Sequence, residues 1–208
     1  MSSLVQTVND PDGDPGANMT IITARERLLS AAVEAFAEKG FAATTTRDIA
    51  SRAGMSPAAV YVHHDSKESL LFTVSLDGHR HALTIIETAA ASSDDPIERL
   101  RAMVHAFTLW HADHSRVGRI VQYEYQALTP AHRSEVAVYR RKIEQAMQEA
   151  LRDGVERGAF AVDDIPGTAF ALLSLGIDLV RWFEPGGSQS GEDLAALHAE
   201  LAVKMTRA

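Results

Sequence analysis

The chain has 208 residues, 46% of them hydrophobic, enough for one mid-sized domain or two small units around a packed interior. It has no cysteine, which excludes disulfides and thiol chemistry and fits a cytoplasmic protein. The formal net charge is −8, but it is spread unevenly: −3 over residues 1–19, 0 over 20–80 and −5 over 81–208. The acidity therefore lies outside residues 20–80, and a global pI near 5.5 does not exclude a local basic face there. The sequence has no run of about 18 apolar residues, so no membrane span is predicted. Met1–Asn18 has neither a basic start nor an apolar core, so it does not read as a secretory signal.

Residues 1–19 include Asn9-Asp-Pro-Asp-Gly-Asp-Pro-Gly16, rich in turn formers and poor in apolar groups. They read as a disordered or loosely attached arm. From Thr20 onward the patterning is helical. Leu28, Leu29, Ala32, Val33, Phe36 and Ala37 form an apolar stripe, closed by Gly40 as a C-cap. Two short helices are predicted near Thr45–Arg52 and Ser56–His63. Asp65 or Ser66 caps a fourth, with Glu68 placed for a capping box from Asp65, running to about Thr88. Pro96 starts a helix carrying Leu100, Met103, Val104, Phe107 and Trp110. A further helix covers about Arg116–Leu128. Thr129-Pro130 opens a long one, striped by Val136, Tyr139, Ile143, Met147 and Leu151 and closed by Gly154 and Gly158. Asp163 or Asp164 caps the next, which runs to Phe183. Leu194, Leu197, Leu201 and Met205 stripe the last. The fold class is all-α with about nine helices, divided into an arm (1–19), a helix-turn-helix unit (20–66) and a helical body (67–208).

The informative stretch is Thr44–His64, which has the layout of a helix-turn-helix. Two short helices that cross steeply need a small contact residue, and Ala50 supplies it. Gly54 stands four residues later, where the turn needs positive φ. Ile49, Ala53, Met55 and Val60 are apolar at inward positions. Ser56 is a good N-cap, and Pro57 suits the first helical turn. An ordinary helical hairpin would share one or two of these features, but here they agree at every position.

These residues resemble the tetracycline-repressor (TetR) family. Ala31-Ala-Val-Glu-Ala-Phe-Ala-Glu-Lys-Gly-Phe41 is similar to that family's first helix. Thr44–Ala50, Gly54-Met-Ser-Pro-Ala-Ala-Val-Tyr61 and Ser66-Lys-Glu-Ser-Leu70 resemble the rest of its signature. The likeness implies a ligand-responsive transcriptional repressor that is not an enzyme, binds a palindromic operator as a homodimer and needs no cofactor. It implies contacts to double-stranded DNA from Thr45, Thr46 and Arg47, from Ser56, Pro57, Ala58 and Ala59 in the major groove, and from Tyr61, His63 and Lys67 on the backbone. Thr45 has a second reading as a helix cap, Tyr61 as core, and Arg47 and Lys67 as solvated surface charges. Two departures stand out: His64 replaces the family's usual aromatic residue beneath the recognition helix, and Ala59 replaces a frequent glycine. With Ser, Pro and Ala at its front the helix has few bidentate readers, which shifts weight to Arg47, backbone contacts and DNA shape.

One three-helix reader covers too little DNA, so a homodimer is expected. The segment Phe170–Phe183 is apolar nearly all round and must be covered on more than one face. Phe170, Leu173, Ile177 and Val180, with Leu194, Leu197 and Leu201, form the expected four-helix interface. The resemblance implies a small-molecule effector pocket among the middle helices. Its candidate lining is Met103, Phe107, Trp110, His111, Val121, Tyr125, Tyr139, Ile143 and Met147, each with a plain core reading beside it. The segment from Arg116-Val-Gly-Arg119 through Ala127–Arg133 resembles actinobacterial-type regulators of lipid, sterol or acyl-CoA catabolism. An apolar or acyl-CoA-like effector follows from that likeness.

The rival reading is a metal-binding or enzymatic helical bundle. His111-Ala-Asp-His114 puts two imidazoles three residues apart, a spacing that helical metal pairs use. Against it, the chain lacks His-Glu-x-x-His and any Glu-x-x-His pair, so no metal site is expected. Gly187-Ser-Gln-Ser-Gly191 misses a nucleophile elbow because Gln189 holds the central place.

Overall fold

The computed structural model describes residues 23–207, and the arm expected at 1–19 lies outside the described residues. Among the described residues there are nine α-helices and no strand. They are α1 (Ala24–Ala43), α2 (Thr46–Arg52), α3 (Pro57–His63), α4 (Lys67–Ala90), α5 (Pro96–Asp113), α6 (Ser115–Tyr123), α7 (Pro130–Glu156), α8 (Ile165–Trp182) and α9 (Gly191–Thr206).

Local chemistry sets most boundaries. Thr23 and Glu26 close a capping box at the start of α1, and Thr45 and Asp48 do the same for α2. Ser56 caps α3, and Thr129 and Asp164 cap α7 and α8. At α4 Ser66, one of the two expected caps, takes the place, and Ser69 rather than Glu68 completes the box. Glu68 is left free to turn elsewhere, and it accepts from the Thr129 backbone N–H and from His132 Nδ1, both at 2.8 Å. The helix expected at Arg116–Leu128 ends at Tyr123, and a single 3₁₀ turn at Tyr125–Ala127 follows.

Two cores result. Leu28, Ala32 and Phe36 of α1 pack on Ile49, Ala50 and Val60, and this core recruits Leu70 and Leu71 of α4, Ile120 of α6 and Val136 of α7. A boundary at 66/67 thus has core contacts on both sides. The larger core is built around α5, which meets α4, α7, α8 and α9. Ala195, Ala199 and Ala202 let α9 lie close against it, and His198 Nδ1 meets Thr108 Oγ1 at 3.3 Å inside that contact.

Glycine has two jobs here. Gly54, at φ 65°, makes the turn between α2 and α3 in open space, so its role there is conformational. Gly154 does not end its helix as expected: it lies buried within α7, where a Cβ would fall inside the Phe160 ring. Gly158, at φ 70°, is the left-handed residue that closes α7. Gly154→Ala is expected to destabilise the protein by about 1–3 kcal/mol, because Phe160 is buried and has nowhere to move. Urea denaturation reads this, and unchanged stability would refute the contact.

Candidate nucleic-acid interface and effector cavity

α3 presents its leading edge outward. Ser56, Pro57 and Ala58 are exposed and Ala59 is half-buried, while Val60 alone anchors the helix in the core. Tyr61 and Val62 stand 56% and 78% exposed, so Tyr61 is not core. The Tyr61 hydroxyl sits 3.2 Å from Thr46 Oγ1, joining the N-terminal end of α2 to α3. Arg47 and His63 are exposed on the flanks. Val62 was absent from the sequence reading. Its place beside Pro57, Ala58 and Tyr61 on one helical face was the available signal.

Two expected contacts take on other work. Thr45 Oγ1 both accepts from the Asp48 N–H and donates to its carboxylate, which holds the Asp48 carboxyl below the usual carboxylate range. Lys67 is turned inward. Its ammonium donates to the Phe41 carbonyl at 2.6 Å and the Thr44 carbonyl at 2.7 Å, and lies 4.2 Å from the centre of the Phe41 ring. Both carbonyls lie where the helical ladder of α1 is interrupted at Gly40, at φ 75°, and the Phe41 carbonyl also accepts the Thr44 N–H at 3.3 Å. Lys67 therefore stabilises the reader's frame rather than standing free for phosphate. His64 is buried with Nε2 unpartnered, and burial, with Arg25 and His63 nearby, pushes its pKa down.

The effector candidates divide. A cavity of about 310 Å³ opens between α4, α5, α6, α7 and α8. Of the candidates, Phe107, Trp110, His111, Val121 and Ile143 line it. Met103 and Met147 are fully buried core behind that wall. Tyr139 and Tyr125 do not line it: the Tyr139 hydroxyl accepts from Arg80 and the Tyr125 hydroxyl donates to the Arg133 carbonyl. In their place α8 supplies Phe170, Leu173, Ile177 and Val180, residues expected at the dimer interface. Leu173, Val180 and Leu194 are buried within the protomer and have no surface to offer a partner. Phe170 is 68% exposed at the cavity's edge, and Leu197 and Leu201 face outward, as do Trp182 and Met205.

The cavity's polar lining is specific. His79 Nδ1 donates to the Ser75 carbonyl at 2.7 Å, which leaves Nε2 as an acceptor for Arg140 Nε at 3.1 Å. His111 Nδ1 donates to the Phe107 carbonyl at 2.8 Å. Burial pushes both imidazoles down to about 4, so both are neutral near pH 7. His114 Nδ1 likewise meets the Trp110 carbonyl, so the His111/His114 pair is turned to its own helix. Among the described residues no group of three or more His, Asp or Glu is placed to hold a metal.

Two elements tie cavity and reader together. α6 lines the cavity through Gly118 and Val121, and the residue after it, Glu124, accepts the Phe41 N–H at 2.9 Å. A Cβ at Gly118 would lie 2.6 Å from Val180 Cγ1, so α6 and α8 approach as closely as glycine allows. α4 lines the cavity through Gly78 and His79 and carries Lys67 at its other end.

Folded-state imidazole pKa values near 4 against an ordinary 6.5 mean that the unfolded chain binds protons first as pH falls. The stability from His79 and His111 is therefore present above pH 6.5 and lost towards pH 4, at up to about 1.4 kcal/mol per pH unit for each. Denaturation midpoints across that range should fall, and a flat profile would contradict the burial. In DNA titrations, Arg47→Ala is expected to reduce the slope of log K against log salt by about one for each protomer on the DNA. Lys67→Met should leave that slope unchanged while lowering thermal stability; the reverse pattern would overturn the assignment of Lys67.

Comparison with known proteins agrees with this layout. Residues 28–74 match the family described as bacterial regulatory proteins, tetR family, and residues 93–206 match the tetracyclin repressor-like C-terminal domain. The HTH-type transcriptional repressor KstR2 of Rhodococcus jostii is 32% identical over 185 residues, covering 86% of this chain and 89% of the relative. A tetR-family regulatory protein from Rhodococcus RHA1 superposes with TM-score 0.85 at 40% identity, covering 90% of this chain and 98% of its own. KstR2 of Mycobacterium tuberculosis, described as a ketosteroid transcriptional regulator, superposes with TM-score 0.82 at 25% identity, covering 91% and 97%. The chain belongs to the TetR family of transcriptional regulators.

Proposed function

We propose that the protein is a homodimeric repressor that binds a palindromic operator and is released by a small apolar or acyl-CoA-like effector. The observation that carries this reading is one chain holding both an outward-facing recognition helix and a separate, mostly apolar cavity, joined through α4 and α6. On DNA, Thr46, Arg47, Tyr61 and His63 meet the backbone. Ser56, Pro57, Ala58 and Ala59, with Val62, face the major groove. Apolar methyls of Ala58, Ala59 and Val62 suit thymine methyl groups. The working division is a reader through residue 66 and an effector and dimerisation body from 67, with α4 shared. A DNA partner and a cysteine-free chain suit the cytoplasm.

The dimer rests on α8 and α9. α8 is apolar enough, by length and composition alone, to cross a membrane, with mean hydropathy 1.2. Only a third of that segment is buried within the protomer. Its exposed Phe170 and Trp182 run beside Leu197, Leu201 and Met205 of α9. Covering this surface with a second copy would bury it and set two recognition helices at the spacing of one duplex turn, about 34–36 Å.

At about 310 Å³ the cavity sits at the low end of the range for small-ligand sites. An acyl or ring portion fits, and a coenzyme A nucleotide would remain outside. The relatives named for KstR2, one of them a ketosteroid regulator, support a lipid- or sterol-derived effector. An occupant shifts DNA affinity only through its preference for one of two reader spacings, and a hundredfold preference corresponds to about 2.7 kcal/mol.

The test uses DNA from upstream of the protein's own gene. Salt-dependent binding at one dimer per half-site pair is expected. Leu197→Lys with Leu201→Lys should give a folded monomer by sedimentation and weaken DNA binding more than tenfold. Salt-independent binding, or tight operator binding by the folded monomer, would sink the reading.

A further inference from the structure

The cavity's walls are mostly apolar, and Arg140 lines it as a cation that forms no ion pair among the described residues. Its Nε is held by His79, its guanidinium lies 4.3 Å from the centre of the Tyr125 ring, and its terminal N–H groups make no hydrogen bond among the described residues. Glu144, one turn along α7, also lines the cavity, but it shares its Oε1 with Gln148 and makes no ion pair with Arg140. Partial burial costs the cation solvation, and its pKa is lowered accordingly, with Tyr125 opposing.

His79 gives this cation a fixed direction. Because its Nδ1–H is committed to the Ser75 carbonyl, Nε2 is always an acceptor, and Arg140 is steered by its Nε edge. That leaves the two terminal nitrogens as a preset fork for acceptor oxygens. A purely apolar occupant would cover this fork without pairing it, which costs the partly buried guanidinium part of its remaining hydration.

We infer that Arg140 is the polar anchor of the effector, and that the ligand class is an apolar body ending in an acyl oxygen group, either a carboxylate or a thioester carbonyl, received by its terminal N–H groups. The inference rests on the cavity being the effector site proposed above. It adds a specificity-determining residue and the polarity of the ligand's end.

The experiment is calorimetric titration of the full-length protein with decanoate, decanol and decanoyl-CoA, which share one chain and differ at its end. Wild type is expected to bind decanoate or decanoyl-CoA at least about tenfold more tightly than decanol. Arg140→Met should remove that preference while leaving decanol affinity unchanged, which also reports that the variant is folded. Arg140→Lys should keep part of it. A preference for decanoate places a free carboxylate at the fork, and one for decanoyl-CoA alone places a thioester there. Equal binding of all three, no binding of any, or a preference that survives in Arg140→Met would overturn the anchor. Operator competition is read separately. Arg140-dependent binding that leaves DNA affinity unchanged would sink the effector reading and keep the anchor, and release by decanol as effective as by decanoate would do the opposite.

Discussion

Everything in this protein depends on how the end of α1 is satisfied. Gly40 turns the chain into the left-handed region and interrupts the helical ladder of α1, so the groups around it are paired by Thr44 and from outside the helix. Lys67 takes the carbonyls of Phe41 and Thr44, and Glu124 takes the Phe41 N–H. These two side chains come from α4 and from the end of α6, the elements that form one wall of the cavity. The orientation of the recognition helix is thus set by charged groups anchored in the body, not by the reader alone. An ammonium on carbonyls and a carboxylate on an amide are among the stronger directional bonds available, so the joint is stiff.

The cavity follows the same economy. Its two imidazoles are tied by Nδ1 to carbonyls four residues earlier on their own helices. This makes them uncharged spacers with a fixed tautomer, so Arg140 is the cation that defines the polar end. The close approach at Gly118 presses α6 against Val180 and leaves it little room to absorb an occupant without moving.

The reader was largely legible because its determinants are local. Ala50, Gly54, Ser56 and Pro57 each do their work within a few residues of themselves, so spacing was enough. Thr45 showed both of its readings in sequence, and the structure displays the capping one. Lys67 was illegible because its partners lie 23 and 26 residues away across a fold that spacing does not encode. In the body, Phe107, Trp110 and Ile143 lie on helical stripes and His111 and Val121 came from the family resemblance, but neither signal ranks depth. Met103 and Met147 lie on the same stripes and are core. α8 misled for a related reason. A helix apolar all round announces that several faces are covered without saying by what, and the face assigned to a partner is in part the cavity wall. His79 and Arg140 went unread because each is a polar residue whose meaning comes from the other, on helices 61 residues apart.

Phe170 belongs to two surfaces at once. It rims the cavity, and it projects from the outer edge of α8 where a second copy would rest. With the dimer as proposed, occupancy and self-association share a residue and are linked: a guest that draws this ring inward changes the subunit affinity by the factor that pairing changes the guest's own. Protein concentration then becomes a variable of ligand sensitivity, and a dilute pool and a crowded one would answer the same dose differently.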